Sequence, residues 1–312
     1  MFKRFTNRQL ALFLLAVLTL YGLSLGFGGS AERTFDKTLS VLDTAQVQAL
    51  RIEQNGQSLR LSRTGTGWQV ELPNGELAPT ADGKVARALG SIATLEAQRL
   101  VSRSEEDWRE FQVGDSAGTR VQVQAGEQAL DVYVGRFEYQ PGGMMSYVRL
   151  AGAEETYAVS GYLQPTFAAN ANEWRDKTLL PKGSQQWQQI RFAYPGDSAF
   201  ALVKDSAGTW RLADQPALAL DQTEVSAYLT GLGNLKGQTF APQAPSGKPA
   251  KQLSLQTPQG PITVSAYPDG QGGYLIESSA NPGAYFTGEA GGVFEKLFVS
   301  RASLLAEAEE EA

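Results

Sequence analysis

The residues that could take part in chemistry include one tight acidic cluster, Glu105-Glu106-Asp107, which directly follows Ser104. Glycoside hydrolysis needs two carboxyl groups that face each other across a cleft. Adjacent residues of a helix point in different directions, so this cluster alone does not provide that geometry. A serine followed by acids is typical of a helix N-terminus, where these side chains stabilise free N–H groups. We therefore expect the cluster to be structural.

The chain has 312 residues and contains neither histidine nor cysteine. Histidine is the usual general base near neutral pH and a common metal ligand. Cysteine supplies thiol nucleophiles, thiolate metal sites and disulfides. Without both residue types, an enzyme would depend on carboxylates, lysine or tyrosine. We expect no catalytic residues, no cofactor and no metal site, and we predict that the protein is not an enzyme.

The charge of the chain also narrows its possible partners. The formal net charge is −6, and much of it comes from the C-terminal tail, which contains Glu307, Glu309, Glu310 and Glu311. Basic residues form no stripe that could neutralise a phosphate backbone, so nucleic acid is not an expected partner. The acidic tail, residues 306–312, is expected to stay solvated.

One pentapeptide, Asp-Ser-Ala-Gly-Thr, occurs at residues 115–119 and again at residues 205–209. Aspartate, serine and glycine favour tight turns, because their side chains or backbones adopt turn conformations at low cost. We expect the same hairpin turn in both places and no ligand loop.

An apolar cluster flanks the turn Pro141-Gly142-Gly143 and is the one candidate contact site. Its members are Tyr139, Met144, Met145 and Tyr147. If these side chains are exposed at the end of a hairpin, they could contact a partner or a membrane surface. The alternative is that they are packed inside the fold.

The N-terminal region contains an uncharged apolar segment, residues 10–27, behind the basic residues Lys3, Arg4 and Arg8. As a helix it would be about 27 Å long, close to the hydrocarbon thickness of a bilayer. The positive-inside rule then leaves residues 1–9 in the cytoplasm and exports the rest. A cleaved signal peptide is the alternative, with Gly29 and Ala31 as small residues before the cut. We predict a retained single span in the bacterial inner membrane, a linker over residues 28–46 and a periplasmic ectodomain.

An internal repeat organises the ectodomain. Apolar residues recur at a constant displacement of 140 residues, namely Val85, Leu89, Ile92, Leu95 and Leu100, then Val225, Leu229, Leu232, Leu235 and Phe240. The first four of each set have the spacing of one helix face. A tryptophan strand precedes each set, at Gly67-Trp68 and at Gly208-Thr209-Trp210. We predict two equivalent modules over residues 47–180 and 187–305.

Alternating apolar and polar residues predict the strands of each module. The later strands are expected at residues 120–123, 129–134, 145–150 and 156–159, and at 252–256, 262–267, 273–277 and 284–287. Helices are expected at residues 85–95, 163–176, 225–235 and 292–298. Most connections are too short for parallel crossovers, so the sheets should be mainly antiparallel. The predicted fold class is α+β, an N-terminal transmembrane helix followed by two repeated modules of sheet with packed helices.

With these features the ectodomain resembles the DUF4340 family of bacterial envelope proteins. The resemblance rests on Gly67-Trp68-Gln69-Val70, on the helix at 85–95, on the strands from Val121 to Gly135, on residues 147–159 and on residues 174–180. Phe111-Gln112-Val113 departs from the Tyr-Gly-Leu turn that many members have. The resemblance implies a single-span envelope protein, often encoded beside ABC-transporter components of the gliding-motility type, and it carries over no catalytic residue.

Two functions from different classes follow. The first is a non-enzymatic accessory or scaffolding subunit of an envelope ABC-transport system, with permease or ATPase components as partners. The alternative is a periplasmic module that binds glycans or lipids. A carboxylate-dependent hydrolase has the least support in the sequence. A pocket with apolar walls and converging polar groups would favour the binding module.

Overall fold

The structure is a computed structural model that describes residues 37–65, 67–288 and 292–306. Seventeen strands lie in these residues: β1 (Thr38–Val41), β2 (Val47–Gln54), β3 (Gln57–Thr64), β4 (Gly67–Glu71), β5 (Leu77–Pro79), β6 (Thr94–Ser102), β7 (Thr119–Ala125), β8 (Gln128–Gln140), β9 (Gly143–Leu150), β10 (Thr156–Ser160), β11 (Gln189–Ala193), β12 (Phe200–Lys204), β13 (Trp210–Leu212), β14 (Lys251–Thr257), β15 (Gly260–Pro268), β16 (Tyr274–Ser278) and β17 (Tyr285–Gly288).

Five α-helices accompany them in the same residues: α1 (Lys84–Ile92), α2 (Trp108–Phe111), α3 (Ala171–Trp174), α4 (Gln222–Asn234) and α5 (Val293–Leu297). Short 3-10 turns occur at Thr44–Gln46, Glu105–Asp107, Gln164–Phe167, Ser184–Gln186, Gly196–Ser198 and Ala302–Leu304. Only α1 and α4 exceed two turns, with 9 and 13 residues. The remaining α-helices are too short to form a layer of their own.

The predicted α+β class is therefore wrong, because the described residues form mostly antiparallel sheet, in two sheets. The transmembrane helix predicted at residues 10–27 lies outside the described residues. Among the residues that the structure describes, no helix is both long and apolar enough to cross a membrane. The antiparallel direction of the strands agrees with the short connections in the sequence.

The helix predicted at residues 163–176 is also wrong. The segment forms a 3-10 turn at Gln164–Phe167 and then the four-residue α3. The backbone is extended at Ala168 and Asn170, which ends the first turn, and the Asn170 side chain accepts a bond from Asn172 N at 3.0 Å, which starts a new helix. The two amphipathic helices are confirmed, and their apolar residues Ile92 and Leu232 are buried, but the first helix ends at Ile92 and Leu95 lies in β6.

The chain divides into two compact units, whose described parts are residues 37–60 with 86–169, and residues 61–85 with 170–306. In the first unit, strands pair in the order β1-β6-β10-β9-β8-β7-β2, and β2 is followed by the start of β3. In the second unit the rest of β3 pairs with β4, and β4 with β5. A seven-stranded sheet of order β13-β12-β11-β14-β15-β16-β17 completes it. These units differ from the modules 47–180 and 187–305.

The pairing scheme nevertheless recurs along the chain. Strand β2 pairs with β7, which begins the meander β7–β10, and β11 pairs with β14, which begins the meander β14–β17. In each case one amphipathic helix lies in the chain between the two paired strands, α1 between β2 and β7 and α4 between β11 and β14. The superposition of the two modules in three dimensions stays a prediction.

The second unit has one large apolar core, centred on Trp187, Phe192 and Phe286. Its edge strand β13 is covered by a side chain of α4. The Gln222 amide donates to Trp210 O at 3.0 Å and accepts from Trp210 N at 3.1 Å. This amide substitutes for a neighbouring strand, which protects the edge from pairing with another chain.

Candidate functional site

The candidate contact site lies at the turn between β8 and β9. Tyr139 faces Met144 and Glu138 faces Met145 across this antiparallel pair. Gly142 and Gly143 have φ values of 123° and 130°, a region that side chains with a Cβ rarely adopt. The glycines therefore allow the chain to reverse tightly between the two strands.

The four predicted contact residues lie on opposite faces of this hairpin, because side chains alternate along a strand while directly paired residues share a face. Tyr139 and Met144 share one face, and Met145 and Tyr147 share the other. Tyr139 is 78% exposed, whereas Tyr147 is only 2% exposed. The structure thus brings together two of the four residues in a position to contact a partner.

Two further aromatic residues complete the exposed face. The Phe137 ring packs edge-on against Tyr162 at 4.4 Å and against Tyr139 at 6.4 Å between ring centroids. Tyr162 is 42% exposed. We call Phe137, Tyr139, Met144 and Tyr162 the aromatic tip. Sequence reasoning missed Phe137 and Tyr162, although the alternation of β8 places Phe137 on the face of Tyr139.

The opposite face of the hairpin anchors the tip to the core. Tyr147 packs on Phe111 at 4.7 Å between ring centroids, and its hydroxyl donates to Glu138 Oε1 at 2.5 Å. This hydrogen bond, with another from Gln140, lowers the pKa of Glu138. Burial and the same bond to Glu138 raise the pKa of Tyr147. Arg136 stacks over the Tyr147 ring at 4.9 Å. The hairpin is therefore held on one face by packing and charge.

A β-bulge shapes the base of the hairpin. The register of β8 against β9 shifts between Val134 and Phe137, which places Gly135 in the irregular stretch. A Cβ on Gly135 would lie 2.0 Å from the Phe111 carbonyl oxygen and 2.7 Å from Val113 Cγ1. The backbone segments approach so closely that only glycine fits.

The acidic cluster is structural, as its sequence context indicates. The Ser104 hydroxyl accepts a hydrogen bond from Glu106 N at 3.3 Å, and Asp107 accepts one from Ser102 Oγ at 2.5 Å. Within residues 37–65, 67–288 and 292–306, no group of three or more Asp or Glu side chains is arranged to hold a metal ion.

The two identical pentapeptides adopt different roles. Residues 205–209 form the turn between β12 and β13, where Asp205 Oδ1 accepts from Ala207 N at 3.0 Å and Thr209 N at 2.9 Å. Residues 115–119 instead lead from α2 into β7, and Asp115 pairs with Arg149 at 3.1 Å. The first copy also forms a turn, in which Gly118 N donates to Gly114 O at 2.8 Å, but the expectation of a hairpin is wrong there because the turn joins a helix to a strand.

Arg149 forms the most constrained charged site in the first unit. The residue is 3% exposed. Its Nε donates to Val113 O at 2.9 Å, and Nη1 donates to Ala153 O at 3.3 Å. Its guanidinium carbon lies 3.7 Å from the Trp108 ring centroid and 4.2 Å from that of Tyr133. With its donors engaged, Arg149 joins the loops beside β9 and is not available to a ligand.

A surface ion-pair network lies nearby on β7 and β8. Arg120 forms two hydrogen bonds to Asp131, at 2.9 and 2.7 Å. Burial alone would raise the pKa of Asp131, but the hydrogen bonds from Arg120 and Gln122 outweigh it and lower that pKa. The same pairing with Asp131 raises the pKa of Arg120. These groups stabilise each other.

In the described residues the fold is mainly antiparallel sheet, and the most exposed large hydrophobic side chain among them, Tyr139, belongs to the aromatic tip. The family model of DUF4340, a domain of unknown function, matches residues 68–258. This match covers more than half of the chain, so the chain belongs to the DUF4340 family, as the resemblance in the sequence indicates. No curated protein and no solved structure matches the chain.

Proposed function

We propose that the protein is an extracytoplasmic, non-enzymatic accessory subunit that binds a component of an envelope ABC-transport system through the aromatic tip. The observation that carries the proposal is the exposure of Tyr139, 78%, on a hairpin whose other face is fixed in the core. Exposed tyrosines on a preorganised support are typical of contact surfaces, because they bury much area at little entropic cost. The transport partner is implied by the family resemblance.

The proposal includes a location on the periplasmic side of the bacterial inner membrane. Its support is in the sequence, where the uncharged residues 10–27 follow Lys3, Arg4 and Arg8, a pattern typical of exported proteins. In the part of the chain that the structure describes, Arg149 pairs with Asp115 and Arg120 pairs with Asp131, so these charged groups stabilise each other.

The alternative, a glycan- or lipid-binding module, has less support. Cavities inside the individual units have volumes of about 330 to 490 Å³. Polar, charged and aliphatic side chains line them, and Tyr133 is the one aromatic residue among these linings in the described part of the chain. Pockets for drug-sized ligands are usually lined by apolar and aromatic side chains, which favours the partner-binding proposal.

The experiment is site-specific photo-crosslinking in the native cell. A photoreactive phenylalanine analogue replaces Tyr139 in one strain and Leu218, which is 40% exposed in the second unit, in a control strain. We expect the Tyr139 position to cross-link to the permease of an adjacently encoded ABC transporter and the Leu218 position not to. Met144→Ser and Tyr162→Ser should also reduce co-purification with the tagged permease. Equal cross-linking at both positions would contradict the proposal.

A further inference from the structure

A cavity of about 330 Å³ lies inside the second unit. The end of the β4–β5 hairpin forms one wall, the residues after α3 form another, and the loop before β17 forms the third. Its lining includes Leu72, Leu77, Pro79, Arg175, Asn281 and Gly283. A Cβ on Gly283 would meet no heavy atom within 4 Å, so the space beside this loop is open.

Arg175 brings a charged group without a carboxylate partner to this cavity. Its guanidinium carbon lies 3.6 Å from the Phe240 ring centroid, and its Nη1 donates to Asn172 Oδ1 at 3.3 Å. Among the residues that the structure describes, no Asp or Glu oxygen lies within ion-pair distance of Arg175. Burial lowers the pKa of Arg175, and no neighbouring acid opposes that effect. A half-buried guanidinium has five donors, so most of them remain for a ligand.

The backbone that carries Arg175 is fixed from two sides. Asp176 N donates to Pro79 O and Ala81 N donates to Trp174 O, each at 2.8 Å. On the other side, Asn281 Nδ2 donates to Asp176 O at 2.9 Å, and Asn281 is buried. The backbone at Arg175 is therefore fixed, and the contacts of its guanidinium with Phe240 and Asn172 restrict the side chain, which reduces the entropic cost of binding.

Two acids on the lining restrict the charge of the ligand. Asp176 Oδ1 accepts from Thr178 N at 3.0 Å and from Thr178 Oγ1 at 2.7 Å, while Glu76 accepts from Asn74 at 2.9 Å. Both carboxylates accept hydrogen bonds from groups other than Arg175, and their charges repel a dianion such as phosphate about twice as strongly as a monoanion. A monoanionic carboxylate matches the planar fork of a guanidinium.

The edge of β5 adds backbone groups and an apolar surface. In an antiparallel pair, every second residue points its N–H and C=O toward the neighbouring strand. Leu72 N donates to Glu76 O, and Val70 is paired with Ala78, so Glu76 and Ala78 point toward β4. The N–H and C=O of Leu77, which lies between them, therefore point away from β4. The Leu77 side chain is 55% exposed, and Leu72, Pro79 and Pro282 add aliphatic surface. An extended peptide can pair with such an edge while its carboxylate meets the guanidinium.

We propose that this cavity binds the free carboxylate of a peptide C-terminus with an aliphatic last residue, held by Arg175 and the edge of β5. The site consists of residues of the second unit and the aromatic tip of residues of the first, so the inference does not depend on the proposed transport role. A small aliphatic carboxylate would use the same contact with Arg175 but could not pair with β5.

The test is calorimetric titration of the full chain with acetyl-Ala-Ala-Leu as the free acid. The matched probes are its C-terminal amide, isobutyrate and inorganic phosphate. We expect the acid to bind at least about tenfold more tightly than the amide, than isobutyrate and than phosphate. Equal binding of acid and amide would overturn the proposal, and so would no binding of the acid at about 10 mM. Tighter binding of phosphate would overturn the assignment to a carboxylate, and equal binding of isobutyrate would overturn the peptide.

Variants separate the role of Arg175 from a general effect on the fold. Arg175→Gln should weaken binding of the acid by at least about tenfold. Arg175→Lys should give an intermediate loss, because it keeps the charge but loses the planar fork. Arg191→Gln changes an exposed arginine of the same unit and should leave binding unchanged. If Arg175→Gln unfolds the unit, the lysine variant and the amide probe still show whether Arg175 binds the carboxylate. The site would be refuted if Arg175→Lys bound the free-acid peptide as tightly as the natural chain does and bound the amide peptide equally well.

Discussion

Replacing Arg149 by methionine should destabilise the first unit strongly, although Arg149 contacts no ligand. The substitution keeps much of the side-chain volume but removes the guanidinium from between Trp108 and Tyr133. It also leaves the buried Val113 carbonyl oxygen without the donor that now lies 2.9 Å away. A buried acceptor that loses its partner costs about 1–3 kcal/mol in the free energy of unfolding.

The other contacts of Arg149 contribute less, and their sum sets the expected magnitude. The two ring contacts together contribute about 0.5–2 kcal/mol. Asp115 is 79% exposed at its side chain, so loss of that ion pair costs less than about 1 kcal/mol. Water can reach the half-buried Ala153 carbonyl and replace its bond. The total expected for Arg149→Met is about 2–5 kcal/mol.

The measurement is urea denaturation of the full chain, followed by circular dichroism and by tryptophan fluorescence, to which Trp108 contributes as one of five tryptophans. Hydrogen–deuterium exchange then locates the loss, which we expect in β7–β9 and not in β14–β17. Arg51→Met is the matched control, because Arg51 is exposed and pairs with Glu53 on the surface at 2.6 Å. It should cost less than about 1 kcal/mol. If the two variants differ by less than about 0.5 kcal/mol, the assigned role of Arg149 is wrong.

Two further predictions concern the same unit. Gly135→Ala should lower the free energy of unfolding by about 3 kcal/mol, the upper end of the range for overpacking, because the new Cβ would lie 2.0 Å from Phe111 O. Gly67→Ala is the control, because a Cβ there would meet no heavy atom within 4 Å, and its free energy of unfolding should change by no more than about 0.5 kcal/mol. Thermal melts of both variants measure the difference, and equal losses of stability would contradict the packing argument. Because its pairing with Arg120 lowers the folded-state pKa of Asp131, the stability from Asp131 should be present above its unfolded pKa, about 3.9, and should disappear as pH falls through the folded pKa. Asp131→Asn should therefore be less stable than the natural chain at pH 7, and the difference in unfolding free energy should shrink on acidification; a difference that stays constant with pH would refute this.

The strands were predictable from the sequence because side chains alternate between a core face and a solvent face. The predicted strand 120–123 lies inside β7, and 252–256 lies inside β14, and burial alternates along both strands. Alternation depends on each residue and its near neighbours only, so distant contacts do not alter it. The fold class was not predictable in the same way, because segments such as residues 163–176 have the apolar content of a helix but are divided where the backbone is extended at Ala168 and Asn170.

The candidate site was only half predictable, since its residues depend on register. The sequence places Tyr139 and Tyr147 near one turn, but their faces depend on the pairing of Tyr139 with Met144. Tyr162 joins the tip through a contact with Phe137, and no local pattern reports that contact. The pairing of Asp115 with Arg149 is likewise long-range, which is why two identical pentapeptides have different roles.

The division of the chain into units has a consequence for synthesis on the ribosome. Residues 61–85 are made early, but they belong to a unit whose other residues, 170–306, are made last. The whole of residues 86–169 therefore emerges while this early segment still lacks its partners, so the second unit cannot fold strictly from the N-terminus onward. A cut at residues 181–184, where the repeat suggests a clean boundary, would separate Leu179 and Leu180 from the core in which they are buried. Each half of the repeat would then be released as an incomplete protein, with apolar surface open to aggregation.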